Sequence, residues 1–172
     1  MLWKLRLFWH RTDLAAWAFV SYFVLVVGSL VFAASEVFNK RDAERALVRD
    51  FHARSLDCLA RNVYYEARGE SAAGQYAVAE VTMNRKASPF YPKTVCEVVY
   101  QREAFSWTGQ RNLDKPDGEA WAQAQKVAED VYYGRRPATM PGVLHFHATY
   151  VRPDWSAERR RVAKIGRHVF YR

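Results

Sequence analysis

Two glutamates, Glu66 and Glu70, flank the short stretch Ala67-Arg68-Gly69. A pair of carboxyl groups held in different protonation states is the usual equipment for general acid–base work on a glycosidic bond. The flanking residues treat the two acids differently. Leu56, Leu59, Ala60, Val63 and Tyr64 recur at helical spacing, which places Glu66 in the last turn of a helix, at the negative end of its dipole. With Tyr64 and Tyr65 sheltering it, Glu66 is expected to favour its protonated form. Gly69 stands where helices commonly end in a left-handed residue. A second helical pattern, Ala73, Tyr76, Ala77, Val81 and Thr82, starts after Ser71, a natural N-cap. Glu70 precedes that helix, whose free N–H groups favour its ionised form. The competing reading makes Glu66 an exposed helix-end residue and Glu70 an ordinary cap.

Further elements follow in order. Ser88-Pro89-Phe90-Tyr91-Pro92 must be a loop, since two close prolines exclude a regular helix. Thr94 to Glu97 reads as a capping box opening a short helix to about Gln101. Asp117 to Tyr133 carries the clearest helical face, Ala120, Trp121, Ala124, Val127, Ala128, Val131 and Tyr132, ended by Gly134. Val143 to Ala148 alternates like a strand, with His145 and His147 on one face. That pair, with His168 or Glu66, has the elements of a zinc site, but no supporting spacing accompanies it, so no metal is expected. A second strand is expected from about Ala163 to Tyr171.

The run from Leu59 to Arg85, with Glu66-Ala-Arg-Gly-Glu70 at its centre and Val81-Thr-Met-Asn84-Arg85 at its end, resembles the opening motif of the SleB/CwlJ family of cell wall hydrolases. The resemblance continues through Tyr91-Pro92, Thr94 to Gln101, Phe105-Ser106-Trp107 and the ending Lys164-Ile165-Gly166-Arg167-His168-Val169-Phe170. It covers about residues 55 to 172. It implies an α+β fold, a mainly helical domain like those of lysozyme and lytic transglycosylases with a small antiparallel sheet. It also implies peptidoglycan as partner and substrate, no cofactor, and a route needing one carboxylate, Glu66, with Glu70 as a possible second. The substrate-side candidates are Trp107, Gln110, His147, Tyr150 and Trp155. Trp107 either stacks on a sugar ring or, with Phe105, plugs the core.

Leu14 to Ser35 carries no charge. As a helix it is about 33 Å long, enough for a hydrocarbon core of about 30 Å. A retained transmembrane anchor is expected, with a cleaved signal peptide or a buried helix as alternatives. Residues 1–13 then form a cytoplasmic N-terminus, 36–54 a charged stem, and 55–172 the catalytic domain. The two cysteines, Cys58 and Cys96, would need an oxidising compartment to pair; two buried thiols are the alternative. The apparent substrate places the domain in the periplasm on a single-pass inner-membrane anchor. The formal net charge of +8 suits an anionic polymer such as peptidoglycan, and no nucleic-acid motif accompanies it.

The activity the resemblance implies is cleavage of the bond between N-acetylmuramic acid and N-acetylglucosamine, as a lytic transglycosylase with Glu66 as single acid and base. The alternatives are a non-catalytic glycan-binding or scaffold protein on the same fold, and a hydrolytic muramidase using a second carboxylate.

Overall fold

The computed structural model describes residues 2–172, with side chains from Leu14 onward. The chain divides into two compact units, Met1–Arg49 and Asp50–Arg172. The first helix, α1, is Leu2–Ala67. Between residues 14 and 49 its side chains, including Leu14, Trp17, Phe23, Leu25 and Phe32, are exposed. From Leu14 the helix is long and apolar enough to cross a membrane. The hydroxyls of Ser21, Ser29 and Ser35 each donate to the carbonyl three residues back, at 3.0, 2.8 and 2.7 Å. Those hydroxyls therefore have partners without water, as a hydrocarbon surrounding requires.

The second unit contains the end of α1, then α2 (Ala72–Ala87), α3 (Val95–Val99) and α4 (Gly118–Tyr132). Short 3₁₀ turns occupy Ser106–Gly109 and Asp154–Ala157. Ser71 caps α2, accepting from the Gly74 N–H, and Thr94 with Glu97 forms the complete capping box of α3. α3 stops at Val99, short of Gln101. Gly134, at φ +63°, follows α4. Gly69 is not left-handed. A Cβ there would lie 2.9 Å from Arg167 Nη2, so the missing side chain makes room for the guanidinium.

The C-terminal segment corrects the expectation of one strand from 163 to 171. It is a hairpin, β2 (Arg161–Ile165) and β3 (His168–Tyr171), and with β1 (His145–Ala148) it makes an antiparallel sheet in the order β1-β3-β2. Ile165 pairs with His168, leaving Gly166-Arg167 as the turn, with Gly166 at φ +53°. A glycine at the first of two turn residues matches the right-handed twist of the strands. β3, central and buried at every position, carries the sheet's core residues.

Leu59, Val63, Val95, Val99 and Val127 pack α1, α3 and α4 together, while Ala77, Val78, Val81, Val143 and Phe170 pack α2 against the sheet. Cys58 and Cys96 are joined by a disulfide, which ties α1 to α3. Buried polar residues supply direction to this core. Asn62, fully buried, donates to Thr82 Oγ1 and accepts from Trp107 Nε1, both at 3.0 Å. Glu80 accepts from the backbone N–H groups of Thr139 and Met140 at 2.7 and 2.6 Å. Asn84 donates to the carbonyls of Met140 and Val143, and Arg85 Nε to that of Leu144. One face of α2 thus fastens the connection that leads into β1. A buried acceptor or donor satisfied this way is costly to disturb.

Candidate active site

The end of α1, the loop after α3 and strands β1 and β3 enclose a cleft of about 590 Å³. Glu66, the penultimate residue of α1, lines it with Tyr65, Arg85, Phe146, Trp155 and His168. The Glu66 side chain is half-buried, and among the described residues it has no hydrogen-bond or ion-pair partner. Burial raises its pKa from 4.5 to about 7, and the positive charge of Arg85 opposes the rise. The helix-end dipole acts in the same direction as burial. Glu66 is thus a carboxyl group that holds its proton near neutral pH and faces open volume.

Glu70 is treated in the opposite way. Its side chain is only 4% exposed and lies against the Gly166-Arg167 turn. It accepts from Arg167 Nε at 2.7 Å and from the Arg167 N–H at 3.1 Å. Burial works to raise its pKa, but the hydrogen bonds from the Arg167 side chain and backbone outweigh that and hold it below the ordinary carboxylate value. A Cβ at position 166 would run into this carboxylate, so Gly166 serves the clip as well as the turn. Glu70, the possible second carboxylate, does not line the cleft and instead holds the hairpin turn.

The aromatic candidates separate. Trp107 is 6% exposed, packed beside Tyr65 and bonded to Asn62. Of the two alternatives its burial matches the core plug, and it does not line the cleft. Gln110 is exposed and also outside the cleft. Tyr150, 84% exposed, stands on the rim, while Trp155 is half-buried against His145, His147 and Tyr171. His147 lines the cleft with both ring nitrogens engaged. Nδ1 faces the Ala148 carbonyl at 2.9 Å and Nε2 the Tyr171 hydroxyl at 2.9 Å. The carbonyl only accepts, so Nδ1 carries the proton and Nε2 accepts from Tyr171. His168 is 7% exposed, and among the described residues its Nδ1 has no partner. Burial pulls its pKa down.

Arg85 and Glu103 line the cleft although the sequence assigned neither a role there. Arg85 sits on the buried face of α2 at helical spacing from Val78 and Val81, a pattern that was available but masked by its charge. Glu103 also lines the cleft, and at φ +62° it is the only non-glycine with a left-handed backbone among the described residues. Such backbone strain concentrates where a side chain is needed in place.

The site is thus a groove with aromatic walls, with a sheltered carboxyl at a helix end facing the sheet. Residues 69–171 match the family model described as Cell Wall Hydrolase. The chain is 31% identical over 137 residues to the spore cortex-lytic enzyme of Bacillus subtilis, covering 77% of this chain and 42% of that protein. It is 32% identical over 115 residues to the corresponding Bacillus cereus protein, covering 67% and 43%. The crystal structure of the catalytic domain of Bacillus cereus SleB superposes with a TM-score of 0.57 at 30% identity, covering 69% of this chain and 89% of that one. The catalytic domain of the germination-specific lytic transglycosylase SleB from Bacillus anthracis gives the same TM-score and identity, covering 69% and 93%. The chain belongs to the cell wall hydrolase family. It spans less than half the length of the curated relatives it matches. Glu66 precedes the span matched by the family model, so its role rests on its geometry.

Proposed function

We propose that the chain is a peptidoglycan-cleaving glycosidase and acts as a lytic transglycosylase with Glu66 as its one acid and base. The observation that carries this reading is the Glu66 carboxyl facing the cleft, without a partner among the described residues and with its pKa raised to about 7 by burial. Glu66 donates its proton to the oxygen linking N-acetylmuramic acid to N-acetylglucosamine as the C1–O bond breaks. The resulting carboxylate then takes the proton of the muramyl C6 hydroxyl as that oxygen bonds to C1. Glu66 regains its proton, no water is consumed, and the product ends in a 1,6-anhydro sugar. The description of the Bacillus anthracis neighbour as a lytic transglycosylase supports this route.

Tyr150 and Trp155 are the proposed sugar contacts, at the rim and in the wall, with His147 held between Tyr171 and Ala148 as a fixed part of the same surface. The apolar segment 14–35 serves as the membrane anchor and 36–54 as its stem, with residues 55–172 acting on the periplasmic side of the inner membrane. The disulfide supports an oxidising compartment.

One observation favours a second reading, hydrolysis: Glu103 provides the cleft with another carboxylate. Mass spectrometry of digested sacculi separates these readings. Anhydro ends support transglycosylation, reducing ends support hydrolysis, and intact glycan would leave only a binding protein.

A further inference from the structure

Arg85 is 8% exposed. Its guanidinium lies between the rings of Tyr91 and Phe105, 5.5 and 5.1 Å from their centroids. Its Nε donates to the Leu144 carbonyl at 2.8 Å. Among the described residues no carboxylate reaches it at ion-pair distance. A guanidinium remains charged in proteins, and a buried charge without a counter-ion is costly. The carboxyl whose charge acts on it, Glu66, makes no ion pair with it and has its pKa pushed up to about 7 by burial, so it offsets the Arg85 charge only in part.

Arg85 also faces a second hollow, of about 290 Å³, which shares Arg85, Glu103, Phe146 and Trp155 with the main cleft and so adjoins it. Tyr91, Gln101, Arg102 and His145 complete its polar lining. Arg102 and Glu103 pair with each other at 3.3 Å, which leaves the Arg85 charge unbalanced. Burial and the charges of Arg159 and Arg85 hold the His145 pKa down at about 4, so this ring is neutral at working pH. The hollow therefore offers hydrogen-bond donors around one cation that is compensated only in part.

We propose that this side hollow is a carboxylate-binding subsite, anchored by Arg85, for an acid group that the glycan strand carries beside the bond presented to Glu66. The inference rests on the reading of the main cleft as a glycan site. Two parts of peptidoglycan supply such a group: the free carboxylates of the stem peptides, and the lactyl carboxylate exposed when a stem is removed. A planar guanidinium is suited to either through paired hydrogen bonds.

Binding, rather than cleavage, tests it. The full chain carrying Glu66→Gln is titrated with glycan fragments bearing peptide stems, with the same fragments amidated at their carboxylates, and with stem-free fragments before and after amidation. Amidation is expected to weaken binding at least ten-fold for whichever source occupies the hollow. Arg85→Gln, added to that chain, should bring the ratio close to one. Arg102→Ala, at an exposed side chain, should reduce the preference several-fold and serves if Arg85→Gln does not fold. Equal affinity for acid and amidated fragments of both kinds overturns the proposal. Preference for the acids with no cleavage by the unmodified chain would instead overturn the glycosidase reading and leave the subsite standing.

Discussion

Arg167 Nε donates to Glu70 Oε1 at 2.7 Å across 97 residues of sequence, bringing the turn of the terminal hairpin onto the segment between α1 and α2. This clip completes the separation of the two glutamates that their positions at a helix end and a helix start begin. Glu70 is spent on structure, and Glu66, one helical turn earlier, is left without a partner.

Glu66→Gln is expected to abolish glycan cleavage, a loss of about 10²–10⁴-fold, the usual contribution of a general acid or base. The melting temperature should not fall, because the amide is neutral where the carboxyl already prefers to be. Quantifying anhydro ends released from sacculi, alongside thermal unfolding, checks both parts. Retained activity in a folded variant removes Glu66 from the mechanism.

Activity should decline as pH rises above about 7, following loss of the Glu66 proton. Stability follows the same group with a definite sign. The folded state holds this proton more tightly than the unfolded chain, so between 4.5 and about 7 the folded state binds more protons. Glu66 therefore lowers stability progressively as pH rises through that window. Denaturant titrations at several pH values should show a slope that Glu66→Gln removes.

Glu70→Gln should act mainly on stability, lowering the melting temperature by several degrees, and Arg167→Ala should do the same. Their double variant should lose less than the sum, since both remove one interaction. The Glu70 pKa is depressed on folding, so this stabilisation is present above the unfolded carboxylate pKa and fades as pH falls through the folded value. Additive losses in calorimetry would show that the two side chains are not energetically coupled.

Trp107→Phe is expected to destabilise by about 1–3 kcal/mol, the cost of leaving a buried acceptor, here Asn62 Oδ1, without its donor. Glycan affinity should not change, since Trp107 is outside the cleft. A weakened affinity with normal stability would return this residue to the substrate side.

Replacing Cys58 and Cys96 together by serine should cost about 3–4 kcal/mol in the chain-entropy account of cross-links. Chemical denaturation of the two forms measures it. An unchanged midpoint would mean that packing of α3 on α1 is sufficient without the bond.

The helices and the helix-end position of Glu66 were legible because both depend on residues close in sequence. Ser71, Thr94 and Glu97 announced their caps for the same reason. The clip between Glu70 and Arg167 was not legible, since the partner is remote and Glu70 alone fits an ordinary helix start. The hairpin did leave a signal: Gly166-Arg167 between apolar alternations is a two-residue turn, and reading through it merged two strands into one. Trp107 could not be assigned from composition, because its burial depends on Asn62 offering an acceptor inside the core. Arg85 was passed over although Val78, Val81 and Arg85 share one helical face, because a charge on that face contradicts the pattern used to find it.

The fastening of residues 139–144 by Glu80, Asn84 and Arg85 has an evolutionary and practical consequence. It secures the connection into β1 through α2, while the Tyr150–Trp155 segment meets that strand through Trp155. Under the proposed function, sequence changes at the exposed Tyr150 would retune which polymers are held while the attachment of β1 to α2 stays intact.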